Sequence, residues 1–315
     1  MLRYTTWRIT TILPVLLGVS LAVFLMLNVL PADPIKVMLV QTSVGQVPTA
    51  AGTEALIAQL RQQFGLDLPL YRQFLNFLWD VLNGSLGHSY RGQQAVSDLL
   101  LAQYPFTIRL AFSGLALAIV IGMTLGILAG LFPDGWIDRL CMVVALVGIA
   151  APGFWLGFMM IFLFAIVLDV LPVIGTGSPV AILMPALTLA LPGAAIIARL
   201  TRSNLAAMMK EDFVTTARAK GLPERMVILK HAMPNVLLPV LTVVGLQFGN
   251  LMTGTVIVET VFSRPGIGRL GVTAILHSDY PVVQGFALVV AATYVIVNLL
   301  VDLLYTVLDP RIRYD

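Results

Sequence analysis

The 315-residue chain carries too few charges to form a surface that faces water. Only 11% of its residues are charged, against about 25% in soluble domains, whereas 58% are hydrophobic and the mean hydropathy is +0.93. The net charge of +3 is explained by basic residues that orient membrane loops, so nucleic-acid binding is not expected. The single cysteine, Cys141, excludes an internal disulfide framework and a cysteine-based metal site. The composition indicates a polytopic membrane protein whose excess apolar surface faces the lipid bilayer.

Six apolar runs are long enough to cross a bilayer as helices. They are Ile9 to Leu30, Phe106 to Phe132, Leu140 to Leu171, Ala181 to Leu200, Val236 to Val258 and Val282 to Leu304. The first run is too long for the apolar region of a signal peptide, and no small-residue cleavage site follows it, so we expect a retained span. The sequence therefore predicts an all-α protein with six transmembrane helices.

The third run could form one long bent helix or two short ones, because Gly148, Pro152 and Gly153 interrupt it. If it were split, its first half would have about 12 residues, fewer than the roughly 17 that a span needs. The segment Arg199 to Lys230 is the most basic part of the chain and should be cytoplasmic, which one span allows and two do not. Six spans then place both termini in the cytoplasm.

The segment from Pro31 to Gln103 is too polar to cross the membrane and, by the same count, lies on the outer face. Thr53 should cap a short amphipathic helix, and Pro69 should begin a second that Gly84 ends. These helices either pack on the loops of the protein itself or dock an external partner. The sequence thus divides into the N-terminus with the first helix (residues 1–30), an extracytoplasmic helical segment (31–103) and a five-helix core (104–315).

Residues for catalysis are scarce. The three histidines, His88, His231 and His277, fall in predicted loops, and the chain has no H-E-x-x-H, no phosphate-binding loop and no G-x-S-x-G. We therefore do not expect this chain to be an enzyme.

Small residues recur at every fourth position of the second span, which clears one helix face for close packing, either within the subunit or against a second subunit. The glycines of this stripe are Gly114, Gly122, Gly126 and Gly130.

Charged residues near span ends are expected to reach the membrane interface. Glu259 and Asp302 belong to this group, and we also keep them as candidates for a translocation path. In the fourth span, Pro192 and Gly193 either kink the helix or free backbone carbonyls that could act as ligands.

The loop from Lys210 to Pro234 is the most informative stretch of the chain. Glu211 to Lys220 is predicted to form a helix that Gly221 ends, and Pro223 should begin another that Pro234 breaks. Two short helices joined at a glycine form a compact knob, which suits insertion into a cytoplasmic partner and transmission of rigid-body motion. An ordinary basic loop that touches anionic headgroups is the alternative.

This knob resembles the EAA loop of permease subunits in bacterial ABC importers. The string TARAKG, residues 216–221, is similar to the form found in the dipeptide, oligopeptide and nickel permease subfamily. The general pattern of that loop is Glu-Ala-Ala, three residues, Gly, nine residues, then Ile-x-Leu-Pro; in this chain, threonines replace its Glu-Ala and a histidine replaces its Ile. The positions of this chain that align with the pattern, whether identical or replaced, are Thr215, Thr216, Ala217, Gly221, His231, Met233 and Pro234.

Further segments resemble signatures of the same subfamily in the same order. They are LPADP (30–34), QFGLDLPLYRQF (63–74), GSLGHSY (84–90), ETVFSRPGIGRL (259–270), DYPVVQG (279–285) and NLLVDLLYTVLDPRIRY (298–314). The resemblance implies a type I ABC importer permease in the bacterial inner membrane, with residues 206–234 as the coupling loop. Arg218 and Lys220 would then make polar contacts with an ATPase.

The resemblance also implies the partners. They are a second homologous permease subunit, two ABC ATPase subunits that bind ATP and Mg, and an extracytoplasmic substrate-binding protein, whereas this chain itself is expected to bind no cofactor. Short peptides are the expected cargo, and nickel or a metal chelate, glutathione and opines are the alternatives. An ATP-independent channel or secondary transporter is the competing class, although the inverted repeats typical of the latter are not visible.

Overall fold

The computed structural model describes residues 2–29, 34–42, 50–173 and 179–308, and these are largely helical. The helices are α1 (Leu2–Val29), α2 (Pro34–Thr42), α3 (Ala50–Gln63), α4 (Leu70–Leu82), α5 (Val96–Leu131), α6 (Trp136–Ala150), α7 (Gly153–Met160), α8 (Leu183–Met208), α9 (Asp212–Ala219), α10 (Glu224–Met226), α11 (Met233–Val261), α12 (Ile267–Leu276) and α13 (Tyr280–Leu308). Short π-helical turns at Ile161–Val167 and Val227–Ala232 follow α7 and α10, and a 3₁₀ turn at Pro179–Ile182 precedes α8. Five helical stretches within these ranges are long and apolar enough to cross a membrane without a break.

The described chain forms two compact units. The N-terminal unit contains the described residues up to Pro105 together with Gly266–Ile296. The core unit contains Phe106–Pro265 and the described residues from Val297 onward. Residues on both sides of the core in the sequence therefore contribute to the N-terminal unit.

In the N-terminal unit, two of the segments that resemble family signatures meet. The Asp279 carboxylate accepts hydrogen bonds from the Ser89 hydroxyl (2.5 Å) and the Tyr90 backbone N–H (3.1 Å). The aromatic rings of Phe64, Tyr90 and Tyr280 pack around this point. Burial, together with the Asp279 carboxylate, raises the pKa of the Tyr90 hydroxyl. The segments GSLGHSY and DYPVVQG, which are far apart in the sequence, are thus in direct contact.

The short helices of this unit differ in detail from the sequence prediction. Helix α3 begins at Ala50, so Thr53 lies inside its first turn and not at the cap, whereas Pro69 immediately precedes α4 as expected. Gly84 follows α4 with φ of +80°, a conformation that favours glycine. The LPADP segment lies mostly outside the described residues, apart from Pro34.

In the core unit, the glycine stripe of α5 lies against α8 of the same chain. Side chains at these positions would collide with α8, since a Cβ atom at Gly122 would lie 2.6 Å from the Ala194 carbonyl oxygen. The corresponding distances are 2.9 Å from Gly114 to Leu189 Cδ2, 2.6 Å from Gly126 to the Ala198 carbonyl oxygen and 3.0 Å from Gly130 to Leu205 Cβ. The two helices can approach this closely only because these residues lack side chains.

The predicted third span is broken rather than gently bent. Helices α6 and α7 meet at Ala151 and Pro152 with an angle of 111° between them. Proline supplies no N–H to the preceding turn and restricts the residue before it to extended backbone, and Ala151 has ψ of 132°. The chain therefore changes direction at this point.

Contacts along α8 show that the broken pair still crosses the core unit. At the start of α6, Asp138 bonds to Arg202, near the C-terminal end of α8. Later in α6, Gly148 lies against Leu191. Helix α7 then packs against Phe262, which directly follows the C-terminal end of α11. Counted as one broken span, the pair brings the candidate spans of the described chain from five to six.

Candidate functional site

The loop that the sequence predicts to be the coupling loop, residues 206–234, contains a short helix that ends in a hydrogen-bonded glycine turn. Beyond α9, the Gly221 N–H donates to the Arg218 carbonyl (2.9 Å) and the Leu222 N–H donates to the Ala217 carbonyl (3.4 Å). These two bonds are those of a Schellman motif, in which the residue at C′ takes a left-handed conformation. Gly221 has φ of +76°, and no atom lies within 4 Å of the Cβ position. A side chain at 221 would therefore project freely outward from the loop.

A small apolar core holds the loop together. Val214, Ala217 and Val227 are buried and pack against Met209 and Leu222. Ala217, the third position of the EAA-like pattern, is thus part of this core rather than of the surface. The loop is a folded knob with its own packing.

An ion pair ties the two halves of the knob. Two nitrogens of the Arg218 guanidinium bond to the Glu224 carboxylate at 2.6 and 3.2 Å, and these bonds raise the pKa of the guanidinium. Both side chains are exposed to solvent, so the pair adds little to stability. Arg218, which was expected to contact an ATPase, has a partner within its own loop, while Lys220 is exposed beside it.

The outer surface of the knob combines polar and apolar side chains. Thr215 and Thr216 are exposed, and so are the large apolar side chains of Phe213 and Met226. The sequence did not single out Phe213 and Met226, because an apolar residue in a short helix is ordinarily expected to face a core. Their exposure marks a surface that suits a protein partner.

The second half of the knob continues directly into the membrane helix, contrary to the prediction that Pro234 ends it. Glu224 to Val261 is one helical stretch of 38 residues, in which a π-helical turn at Val227–Ala232 precedes Pro234. Proline in the first turn of α11 requires no N–H bond of its own, and the wider π turn accommodates the ring. His231 lies in this turn and Met233 begins α11. At about 1.5 Å per residue, the stretch is roughly 57 Å long and links the knob rigidly to the core.

A partly buried ion pair anchors α8, the helix that leads into the knob. The Arg202 guanidinium bonds to the Asp138 carboxylate through two nitrogens at 2.9 and 2.5 Å, and Asp138 also accepts the Asp134 N–H. Asp138 is almost fully buried. From the sequence, Arg202 was recognised only as one charge of a basic segment, because its partner lies 64 positions away. The pair fixes the start of α6 beside the end of α8.

The two candidate path residues differ from expectation. Glu259 does not reach an interface but is fully buried, and it accepts a hydrogen bond from the Thr107 hydroxyl at 2.6 Å. Asp302 lies in α13, and its side chain is outside the described part of the chain.

A cleft of about 200 Å³ opens in the core unit between α8 and α11. Most of its lining is apolar, but it contains Thr188 on α8 and the amides of Gln247 and Asn250 on α11. The Asn250 Nδ2 donates to the Gln247 Oε1 at 3.0 Å, and the Gln247 Nε2 has no partner among the described residues. Two amides inside a run of apolar helix were visible in the sequence, but their pairing was not.

A larger cavity of about 570 Å³ lies in the N-terminal unit. Amide and aromatic side chains line it, among them Asn28, Gln73, Tyr90 and Tyr280. Among the described residues of the whole chain, no cluster of three or more His, Cys, Asp or Glu side chains could hold a metal ion.

Comparison with known families identifies the class of protein. The chain belongs to the family of binding-protein-dependent transport system inner membrane components, whose model matches residues 122–314. A model of the N-terminal part of such membrane components matches residues 1–111. The chain is therefore an inner-membrane permease subunit of an ABC importer, as its sequence signatures predicted.

Individual relatives are similar over the full length. The glutathione transport system permease protein GsiC of Escherichia coli K12 is 39% identical over 317 residues, which cover all of both chains. GsiC of Pectobacterium atrosepticum matches at the same identity and coverage.

Solved transporters share the fold at low sequence identity. A structure of the MetNI methionine ABC transporter matches with a TM-score of 0.56 and 19% identity, covering 67% of this chain and 96% of that one. An amino acid ABC transporter crystallised with histidines matches with a TM-score of 0.50 and 16% identity, covering 69% and 95%. The chain thus has the type I importer fold.

Proposed function

We propose that this permease carries short peptides into the cytoplasm and that glutathione, a tripeptide, is the first cargo to test. The observation that carries the proposal is the 39% identity to GsiC over the entire length of both chains. Glutathione is a short peptide, so it falls within the broader class that the sequence signatures indicate.

The proposed assembly contains a second homologous permease, two ABC ATPases on the cytoplasmic side and a substrate-binding protein outside. The family description, which names binding-protein-dependent transport, supports the last of these. The chain has no phosphate-binding loop in its sequence, so ATP and Mg are assigned to the ATPase subunits.

Coupling is proposed to pass through the knob. Its apolar core and its glycine turn maintain its shape, and Phe213 and Met226 supply an exposed apolar surface for a cleft on the ATPase. When ATP binding brings the ATPases together, the knob moves with them and tilts the continuous helix from Glu224 to Val261. The cavity of the assembled transporter would then switch between the two faces of the membrane.

Both termini are proposed to lie in the cytoplasm. The coupling loop is basic and should be cytoplasmic, and the Asp138–Arg202 pair places the turn between α5 and α6 at the same end of the core unit. An even number of spans returns the C-terminus to the side of the N-terminus.

The test begins with a tagged protein purified in mild detergent, followed by mass spectrometry of the proteins that accompany it. The complex, with its binding protein, is then placed in liposomes, and uptake of labelled glutathione and of a labelled dipeptide is measured with and without ATP. We expect ATPase chains and a second permease to co-purify, and uptake to require ATP. Uptake by this chain alone without ATP would show that it is a channel or a secondary transporter.

A further inference from the structure

The Gln247 side chain is an unusual group in the middle of the core unit. It is 6% exposed, and its Nε2 has no hydrogen-bond partner among the described residues. Position 247 is halfway along α11, about 14 residues and therefore roughly 21 Å from either end of that helix. A buried amide donor without a partner is unfavourable, and more so where water is scarce. A polar group retained at this depth in a transporter indicates a functional site.

Asn250 orients this donor. One turn further along α11, its Nδ2 donates to the Gln247 Oε1 and so occupies that oxygen. The donor end of the Gln247 amide is left for another partner. The orientation of the Gln247 amide is assigned from this hydrogen bond, since exchanging its two ends would place two N–H donors against each other.

Glycines keep space open beside the amide. Gly193 and Gly254 both line the cleft. A Cβ atom at Gly193 would lie 3.4 Å from the Gln247 Nε2, and one at Gly254 would lie 2.7 Å from Leu189 Cδ1. A side chain at Gly193 would therefore narrow the cleft beside the donor, and one at Gly254 would displace Leu189, which lines the same cleft.

The opposite wall of the cleft belongs to α8. Thr188 and Pro192 on that helix both line the cleft. Pro192 has no N–H of its own, so α8 lacks one backbone hydrogen bond in this turn. The cleft is thus bounded by an irregular turn of α8 on one side and by the Gln247 amide on the other.

We propose that Gln247, positioned by Asn250, binds a carbonyl or carboxylate oxygen of the peptide as it passes through the core unit. This inference rests on the proposed function and assigns a contact within it. The cleft is smaller than the roughly 300 Å³ or more of typical ligand pockets, so it holds one end of a peptide and not the whole molecule. The amide is uncharged, which allows weak binding and release. The same helix is joined to the knob at its N-terminal end, so tilting α11 moves this contact.

The test uses the complete complex in liposomes with Gln247→Leu, and Thr242→Val as the matched control. Thr242 lies on the same helix, is exposed and bonds only within its own helical turn, to the Leu238 carbonyl. For Gln247→Leu we expect uptake of labelled glutathione to fall roughly five- to tenfold, which corresponds to the loss of one hydrogen bond. We also expect ATP hydrolysis to continue and thermal stability in detergent to change little, because the substitution removes an unpaired buried donor together with the acceptor of the exposed Asn250 amide. Thr242→Val should leave uptake unchanged.

A second variant separates cargo recognition from packing. Gln247→Met keeps the length of the side chain but has no N–H donor, so uptake of labelled glutathione should fall as it does in Gln247→Leu. Unchanged uptake in both variants would overturn the inference. Loss of the second permease from the purified variants would also overturn it, since the amide would then pair with that subunit. A wild-type complex that carries neither labelled peptide would overturn the proposed function itself, and this inference with it.

Discussion

The glycine turn of the coupling loop permits a test with a closely matched control. We consider the substitution Gly221→Asp and the control substitution Gly84→Asp. Gly221 and Gly84 have φ of +76° and +80°, and neither has an atom within 4 Å of its Cβ position. Each follows a short helix. The two changes therefore impose the same backbone conformation and add the same charge, but in different units of the molecule.

The cost within the chain is small and similar at both positions. An L-residue in the left-handed conformation costs about 1 to 2 kcal/mol, and aspartate tolerates it better than most residues. No collision adds to this cost, because both Cβ positions are open. A change of about 1 kcal/mol lowers the folded fraction of a normally stable protein very little. If Gly221→Asp abolishes uptake, the cause must lie outside the chain, where the new carboxylate meets its partner.

Each variant is produced with the whole transporter, and three quantities are measured. These are the amount of permease in the membrane, the ATPase subunits that co-purify with it, and ATP-dependent uptake of labelled glutathione. We expect Gly221→Asp to accumulate normally but to lose uptake and most of the bound ATPase. Gly84→Asp should retain the ATPase. Normal uptake by Gly221→Asp, or equal loss of ATPase from both variants, would refute the coupling role of this loop.

Three further predictions concern packing, charge and the exposed surface. Gly126→Ala should destabilise the protein by about 1 to 3 kcal/mol, because its methyl group collides with the Ala198 carbonyl and forces α5 away from α8. The loss is measured by thermal unfolding in detergent, with Gly18→Ala, where the Cβ position is open, as the control. Equal unfolding midpoints for the two variants would contradict the prediction. Asp138→Leu should lower the free energy of unfolding by about 2 kcal/mol, since it leaves the partly exposed Arg202 without its main partner. Adding Arg202→Leu should restore part of this loss. A double variant that unfolds at a lower temperature than Asp138→Leu alone would contradict the prediction. Phe213→Ser should lower the unfolding temperature only slightly, because the side chain is 39% exposed, but should clearly reduce the co-purified ATPase. Unchanged ATPase recovery would exclude Phe213 from the interface.

The sequence predicted the class of the protein and most of its helices because these depend on local composition. The spanning helices occur where the apolar runs predicted them, although α5 begins ten residues earlier than the run that predicted it, at Val96. The knob was predicted for the same reason. Gly221 and Pro223 set backbone angles by their own chemistry, and the structure has the expected turn and helix start at these two positions.

Predictions that considered a residue apart from its surroundings were less successful. Pro234 was expected to break a helix, but a π turn upstream accommodates it, and that adjustment depends on six preceding residues rather than on the proline. Glu259 was expected to reach the membrane interface, but Thr107, 152 positions earlier, provides a buried hydroxyl donor. Neither outcome follows from the chemistry of Pro234 or Glu259 alone.

The sequence by itself therefore determined that this is a helical inner-membrane permease, and it predicted six spans and an EAA-like loop, since hydropathy, charge bias and turn residues act within one helix or one loop. The tertiary structure decided that α6 and α7 meet at an angle of 111°, that Asp138 pairs with Arg202, and that Gln247 keeps an unpaired donor beside a glycine-lined cleft. Each of these depends on which side chains from distant parts of the chain come together. Helix packing sets those distances, and no single helix carries that information in its own residues.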